Sequence, residues 1–119
     1  IGSPTYAQDI ASLIVGLVPQ IEADNVESGV YHFCGNTACS WHQFAEEIFS
    51  QAKSFGYRIP RQIKSITTEE YPTPASRPLY SVLDCNKVLK YADKSLPKYE
   101  IAIARVLKKL SSVDDGFAP

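Results

Sequence analysis

Arg77 is the residue of this chain whose setting most suggests chemistry, because it stands in the run Tyr71-Pro-Thr-Pro-Ala-Ser-Arg-Pro-Leu-Tyr-Ser-Val-Leu-Asp84. Pro74 and Pro78 each lock their own φ, and Pro78 also drives Arg77 out of the helical region into an extended conformation. Little backbone entropy then remains to be lost when a ligand binds. A guanidinium carries a permanent charge and a planar fork of donors, which suits a phosphate or a carboxylate better than a lysine would. Taken alone, a loop arginine is more often solvated than functional, since exposed charges contribute little. A second anion-binding candidate is the turn Gly2-Ser-Pro-Thr5, where the start of a helix offers free backbone N–H groups and a positive dipole end. Simple capping of that helix by Thr5 explains the same residues equally well.

The other reactive residue types point to structural roles. His32 alternates within a strand-like run and reads as a core or sheet-face histidine with a satisfied ring rather than a catalytic base. His42 follows Trp41 in the first turn of a helix and reads as a surface residue, with no carboxylate or cysteine at metal-ligand spacing. Trp41 could line a nucleotide cavity, but an apolar face at a helix start makes it first a core anchor. Cys34, Cys39 and Cys85 are odd in number and match neither a zinc site nor a redox pair, so free thiols in a reducing cytoplasm are expected, with a Cys34–Cys39 bridge as the minority reading.

The elements that must position these residues follow from spacing. Thr5 and Gln8 form a capping-box pattern after Pro4, and Ile10, Leu13, Ile14, Leu17 and Ile21 then recur at helical intervals, predicting a first helix packed on the core. Residues 24–28 form a polar connection. Val30–Cys34 has the composition of a short strand leading into the Gly35-Asn-Thr loop, and 62–66 reads as a second strand. Ser40 and Gln43 make another capping box, which opens a helix whose Trp41, Phe44, Ile48, Phe49, Ala52 and Phe55 mark one face before Gly56 closes it. Residues 67–71 predict one capped turn. Asp84 can cap a short helix through Tyr91, and Tyr91-Ala-Asp-Lys94 reads as an amphipathic helix end. Pro97 introduces a last helix with Tyr99, Ile103, Val106, Leu107 and Leu110 inward. Arg105, Lys108 and Lys109 fall where a helix C-terminus favours positive charge, and residues 111–119 are expected to fray.

Three blocks in this order resemble one family. The string from Pro72 to Asp84, read as Pro-Thr-Pro-Ala-x-Arg-Pro-x-x-Ser-x-Leu-Asp, is similar to the C-terminal signature of dTDP-4-dehydrorhamnose reductases, members of the extended short-chain dehydrogenase/reductase superfamily. Gly2-Ser-Pro-Thr-Tyr-Ala-Gln-Asp-Ile-Ala11 resembles the family's Gly-x-Pro-Thr turn and the helix after it. Gly29–Gly35 followed by Ser40–Ala45 resembles its strand, loop and Ser/Thr-Trp helix start. Ser76 stands where the family usually has a basic residue, leaving Arg77 as the lone cation of the motif. The resemblance implies that Arg77 meets the diphosphate of a dTDP-sugar or the nearby nucleotide, and that Pro4, Thr5 and Ser81 contribute to the wall of that site. No residue is assigned to catalysis, to cofactor binding or to a metal. In the parent enzyme it implies, NADPH or NADH delivers hydride to C4 of dTDP-4-dehydro-L-rhamnose, giving dTDP-L-rhamnose.

The hydride chemistry needs parts that these residues do not contain. Such a reductase requires a Gly-rich turn between strand and helix for the dinucleotide phosphates, and a Tyr-x-x-x-Lys pair for proton transfer to the substrate carbonyl oxygen. Neither pattern occurs in the 119 residues. The chain begins at Ile1 and has no methionine, so it is expected to be a fragment released by trimming or proteolysis. Residues 1–119 are therefore expected to be a single α/β substrate-binding domain: mainly helices with a few short strands and no Rossmann half. The fragment should be inactive and bind no cofactor by itself, its main partner being an N-terminal Rossmann domain of the same protein. A regulatory or interaction domain of the same fold, a self-associating lobe or homodimer, and a reductase or epimerase acting on another nucleotide sugar are the alternatives. A net charge of −1 with scattered basic residues argues against nucleic acid. The absence of a long apolar run or a signal pattern argues against a membrane, so a cytoplasmic location is expected.

Overall fold

Ser40 starts the best-built part of the molecule as its sequence requires. In the computed structural model, which describes residues 1–92 and 95–113, the Ser40 hydroxyl accepts from Gln43 N at 3.1 Å and the Gln43 side chain accepts from Ser40 N at 2.9 Å. This reciprocal capping box satisfies two donors that a helix start leaves free. Gly56, at φ +83°, ends the helix in a left-handed turn, with Gly56 N donating to Lys53 O and Tyr57 N to Ala52 O. The helix between runs over Trp41–Ser54.

Four helices are present among the described residues: α1 (Ala7–Glu22), α2 (Trp41–Ser54), α3 (Asn86–Leu89) and α4 (Tyr99–Val113). Among the described residues, α2 and α4 form the close helix pair. Ala52, Ile103 and Leu107 are buried between them, flanked by Phe44, Ile48, Tyr57, Ile59 and Tyr99. The Gln51 amide donates to Glu100 O at 2.9 Å and the Phe44 and Tyr99 rings meet edge to face at 5.5 Å, which fixes the register of the pair. Leu110, expected inward, remains exposed one turn beyond the contact. A second small core forms around α3, where Cys34, Cys85 and Val88 are buried and Leu13, Leu17, Tyr31, Phe33 and Leu96 pack against them.

The first helix departs from its expected start and packing. It begins at Ala7 with Tyr6 as N-cap and no side-chain cap, because the Thr5 hydroxyl faces the other way. None of its residues is fully buried. Leu13 and Leu17 face the α3 core, whereas Ile10, Ile14, Val18 and Ile21 form a second stripe that faces solvent, with Ile14 56% exposed. A helix that is apolar on more than one side is fully covered only between two layers, and these residues supply one. At its far end Asp24 takes the left-handed position (φ 57°), with Asp24 N bonded to Ile21 O and Asn25 N to Gln20 O.

The α/β expectation is corrected in one respect: the predicted helices are present, but no strand forms among the described residues. Neither Val30–Cys34 nor residues 62–66 pair with another segment, and the single β-bridge joins Gly2 to Cys39. A strand exists through its hydrogen-bonded neighbour, and none runs alongside either segment. Side chains answer part of the polar backbone instead. The Lys87 ammonium donates to Val30 O at 3.1 Å while lying 4.2 Å from the Tyr31 ring centre, and the Tyr31 hydroxyl donates to Glu27 O. His32 is consequently exposed rather than set into a sheet face.

Smaller expectations resolve individually. The turn over residues 67–71 is present, closed by Tyr71 N to Thr68 O and capped by the Glu70 carboxylate, which accepts from Thr67 N at 2.7 Å. The Asp84 carboxylate accepts from Asn86 N at 2.8 Å, but α3 stops at Leu89, short of Tyr91. Arg105 and Lys109 reach sideways to the start of α1, where Arg105 lies 3.6 Å from Asp9 and Lys109 donates to Gln8 Oε1 at 2.9 Å. They bridge α4 to α1 instead of only serving the end of α4. Helix α4 continues through Ser111 to Val113 instead of fraying. The helix end expected at 93–94 and the fraying expected at 114–119 lie outside the described residues.

The total accessible surface is 9363 Å², whereas a compact 13.2 kDa monomer would expose about 6,400 Å². The radius of gyration, 17.8 Å, exceeds the roughly 13–14 Å of a compact chain this long. The fold is thus open, with one packed helix pair and long stretches of uncovered apolar surface.

Candidate functional site

Three segments far apart in sequence meet at the start of the chain. Gly2 exchanges both backbone hydrogen bonds with Cys39, Gly2 N to Cys39 O at 3.0 Å and Cys39 N to Gly2 O at 2.9 Å. On the other side Ser81 N donates to Ile1 O at 2.9 Å and the Ser81 hydroxyl reaches the same carbonyl at 3.3 Å. Residues 1–2 are therefore held between the loop that precedes α2 and the end of the proline-rich segment. A Cβ on Gly2 would stand 3.1 Å from the Ser81 hydroxyl, so the small residue permits this approach.

Pro4 and Thr5 complete the junction. The Thr5 hydroxyl donates to Ser3 O at 2.9 Å and accepts from Gly35 N at 3.2 Å. Gly35 is wedged in: a Cβ there would lie 2.4 Å from Pro4 O, a distance real structures do not show. Asn36 N donates to Pro97 O at 3.0 Å, so the same loop is also fastened to the approach to α4. The Thr5 hydroxyl is committed to shaping this turn, and Asp9 already places a negative charge in the first turn of α1. A carboxylate there answers the dipole that would otherwise attract an anion.

Arg77 is carried differently. The whole of residues 71–81 is exposed, and among the described residues Arg77 makes no ion pair. The Thr73 hydroxyl donates to Ala75 O at 3.1 Å and bends the chain just after Pro72, while Ser81 anchors the far end at Ile1. Between these points the chain forms an arm that presents Arg77 together with Tyr71, Leu79 (81% exposed) and Tyr80 (64% exposed). The structure thus brings Ser81 to the Gly2–Thr5 turn and leaves Arg77 four residues along the arm from that contact.

Trp41, expected as a core anchor, is 79% exposed and touches the body of the protein through Phe44, at 6.2 Å between ring centres. As the first residue of α2 it lies beyond the end of the α2–α4 contact. His42 faces Glu46 one turn on, with Nδ1 3.4 Å from its carboxylate, a neighbour the sequence reading had not counted. No group of three metal-ligating side chains occurs among the described residues, and no helix there is long and apolar enough to cross a membrane.

Two residues that sequence reasoning left out shape the junction. Gly35 was legible as a turn residue, but its need to be glycine comes from Pro4, thirty residues away. Tyr99 lies beneath the loop, where burial first and then the neighbouring Cys39 thiol push its hydroxyl up to about 12. Nothing in the order of residues pairs Cys39 with Tyr99. The cysteines are all free and buried, and Cys34 faces Cys85 at 3.6 Å between sulfurs, not Cys39.

Known proteins share similarity with this sequence. A sequence model described as the RmlD substrate binding domain matches residues 1–112. The chain is 41% identical over 91 residues to a dTDP-4-dehydrorhamnose reductase of Aggregatibacter actinomycetemcomitans, covering 74% of this chain and 31% of that protein. It is 29% identical over 110 residues to the dTDP-4-dehydrorhamnose reductase of Salmonella typhimurium, covering 92% and 37%. It is also 32% identical over 115 residues to the spore coat polysaccharide biosynthesis protein SpsK of Bacillus subtilis, covering 97% and 36%. The chain therefore spans about a third of the length of these relatives. No solved structure matches it significantly. With the family match spanning the junction, the arm and the helices, this chain belongs to the RmlD substrate binding domain family.

Proposed function

We propose that the chain is the substrate-recognition part of a dTDP-4-dehydrorhamnose reductase of the extended short-chain dehydrogenase/reductase superfamily, and that the whole protein reduces dTDP-4-dehydro-L-rhamnose to dTDP-L-rhamnose with NADPH or NADH. The observation that supports this reading most directly is the exposed arm bearing Arg77, which makes no ion pair among the described residues, within a chain that matches a substrate-binding family over residues 1–112. In this role the Arg77 guanidinium receives the substrate diphosphate through paired N–H donors. The exposed rings of Tyr71 and Tyr80 offer flat apolar faces on the same arm for the nucleoside. Pro4, Thr5 and Ser81 act by shape: the Pro4 carbonyl packs on Gly35, and the bonds of Thr5 to Ser3 and Gly35 and of Ser81 to Ile1 set where the arm leaves the body.

The residues present do not suit a dinucleotide. Gly35 in the loop before α2 is packed against Pro4 O, so its backbone is closed to a pyrophosphate, and no Tyr-x-x-x-Lys pair is available as proton donor. Cofactor binding and hydride delivery are assigned to the remainder of the protein. The same remainder is the natural cover for the α1 stripe of Ile10, Ile14, Val18 and Ile21, an apolar face wider than an exposed helix usually carries. That stripe also favours a second reading, a domain whose role is mainly interaction or self-association. The activity of the whole protein separates the two.

In the whole protein, Arg77→Ala is expected to raise KM for the nucleotide sugar about tenfold or more while kcat changes little, because a remote charge-assisted contact supplies uniform binding. Steady-state kinetics, with dTDP titrated by calorimetry as a companion, measure this. An unchanged KM removes Arg77 from the site, and a protein with no reductase activity at all turns the reading towards the interaction domain.

A further inference from the structure

The buried thiols of Cys34 and Cys85 form an arrangement that substrate recognition does not use. Their sulfurs are 3.6 Å apart, and each thiol also lies 3.7 Å from the same carbonyl oxygen, Leu83 O. Both side chains are shut in with Val88, which is 1% exposed, under Leu13 and Leu17 of α1. Cys39, the third thiol, is buried in the separate junction with Gly2 and near Tyr99.

We propose that Cys34 and Cys85 are a redox-responsive thiol pair, and that their oxidation to a disulfide locks the foot of the Arg77 arm onto the extended segment that leads into Gly35. The sulfurs need to approach by about 1.5 Å to reach bonding distance, within the range of small side-chain and backbone adjustments. The oxidant is a hydroperoxide. One sulfur, as thiolate, attacks the terminal peroxide oxygen; the O–O bond breaks, the alcohol or water leaves, and a sulfenic acid forms. The second thiol attacks that sulfur, the S–O bond breaks, water leaves and the S–S bond forms. Two thiols are oxidised by two electrons and the peroxide is reduced by two. A thiol reductant reverses the step by exchange.

The position of the pair gives the bond its consequence. Cys85 directly follows Asp84 at the end of the arm and caps α3, while Cys34 directly precedes Gly35, whose N–H holds Thr5. A bond between them spans 51 positions and encloses the Gly35 loop, α2 and the arm. It restricts the end of the arm, which is otherwise fastened through Leu79 and Ser81 at Ile1 and through the Asp84 turn. Burial pushes the Cys85 thiol up, so the pair is expected to react slowly and to stay oxidised once formed.

The test treats the purified whole protein with hydrogen peroxide, blocks remaining thiols with iodoacetamide and maps non-reduced peptides by mass spectrometry. The expected result is a linked pair of peptides carrying Cys34 and Cys85, two hydrogens lighter than the separate thiols, abolished by dithiothreitol and retained in Cys39→Ser. Oxidation should also raise Tm by several degrees and slow amide exchange over residues 83–86, changes absent from Cys85→Ala treated in the same way. Recovery of Cys34 and Cys85 as separate alkylated or over-oxidised residues overturns the proposal, as does a bridge from either to Cys39. The peptide map of the unsubstituted protein carries the decision if replacement of a buried cysteine unfolds the chain.

Discussion

The helices of the α2–α4 pair and α1 have similar lengths, and α1 is more aliphatic than α2, yet they end in opposite environments. In the pair, one stripe from each helix faces the other, and Ala52, Ile103 and Leu107 lose nearly all contact with solvent. In α1 the aliphatic residues divide into two stripes, and only Leu13 and Leu17 find partners. The difference is between one closed contact and one helix face left uncovered by the described residues. The junction of Gly2, Thr5, Gly35 and Ser81 stands on the first, and the Arg77 arm extends from it. Stability and recognition are thereby placed on different residues, and substitutions can separate them.

The largest effect is expected at the centre of the packed pair. Ile103→Ala removes methylene groups from the buried contact between α2 and α4 and should destabilise by about 2–5 kcal/mol, read as a lower denaturation midpoint with unchanged slope. A loss below 1 kcal/mol would show that the pair is no firmer than α1. Gly35→Ala comes next. Its Cβ would meet Pro4 O at 2.4 Å, and the backbone must give way at a cost of about 1–3 kcal/mol. The same change should loosen the Thr5 and Ser81 contacts, visible as faster amide exchange at Gly35 and Ser81. Protection left intact at both would mean that the junction does not depend on close approach at Gly35.

Tyr99 offers a test by pH. Its folded value of about 12 lies above the ordinary value of 10.0, so the fold favours the neutral phenol. That contribution is complete below pH 10 and is lost as pH rises through 12, because the unfolded chain ionises first. Alkaline titration of stability should therefore fall less steeply between pH 10 and 12 in Tyr99→Phe. Some decline should persist through Tyr31, which burial also raises. Parallel curves for the two proteins would place Tyr99 in water. The smallest effect is expected on α1, where Ile14→Ser should alter the stability of these residues alone by no more than about 0.5 kcal/mol. In the whole protein it should cost several times more if the stripe is covered there, and equal effects in both would break the contrast between the two helices.

The sequence was readable where short-range chemistry decides. Ser40 and Gln43, three residues apart, can only serve the same helix start, and Gly56 marks its end because a left-handed residue is needed there. Thr5 and Gln8 show the same spacing, but the Thr5 hydroxyl has a better partner in Gly35 N, thirty residues away, and no local rule includes that competitor. Trp41 was misread for a related reason. Helical spacing assigns it to the face of Phe44 and Ile48, while the length of the α2–α4 contact determines whether that face is covered at its first residue. The strand at Val30–Cys34 has the right composition, but composition cannot supply a neighbouring strand.

Of the candidate site, the sequence by itself determined the stiffness and charge of the Arg77 arm, because two prolines and a guanidinium act through their own covalent structure. It also determined the helix α2 and the helical periodicity of α1, which follow from the 3.6-residue turn; that the α1 residues divide into a covered and an uncovered stripe came from the structure. Only the tertiary structure decided that Ser81 meets Gly2, that Gly35 must lack a side chain and that Cys34 faces Cys85. These are contacts between segments thirty to eighty residues apart. They depend on how the layers close in space, whereas capping, backbone restriction and charge are properties of a few neighbouring residues.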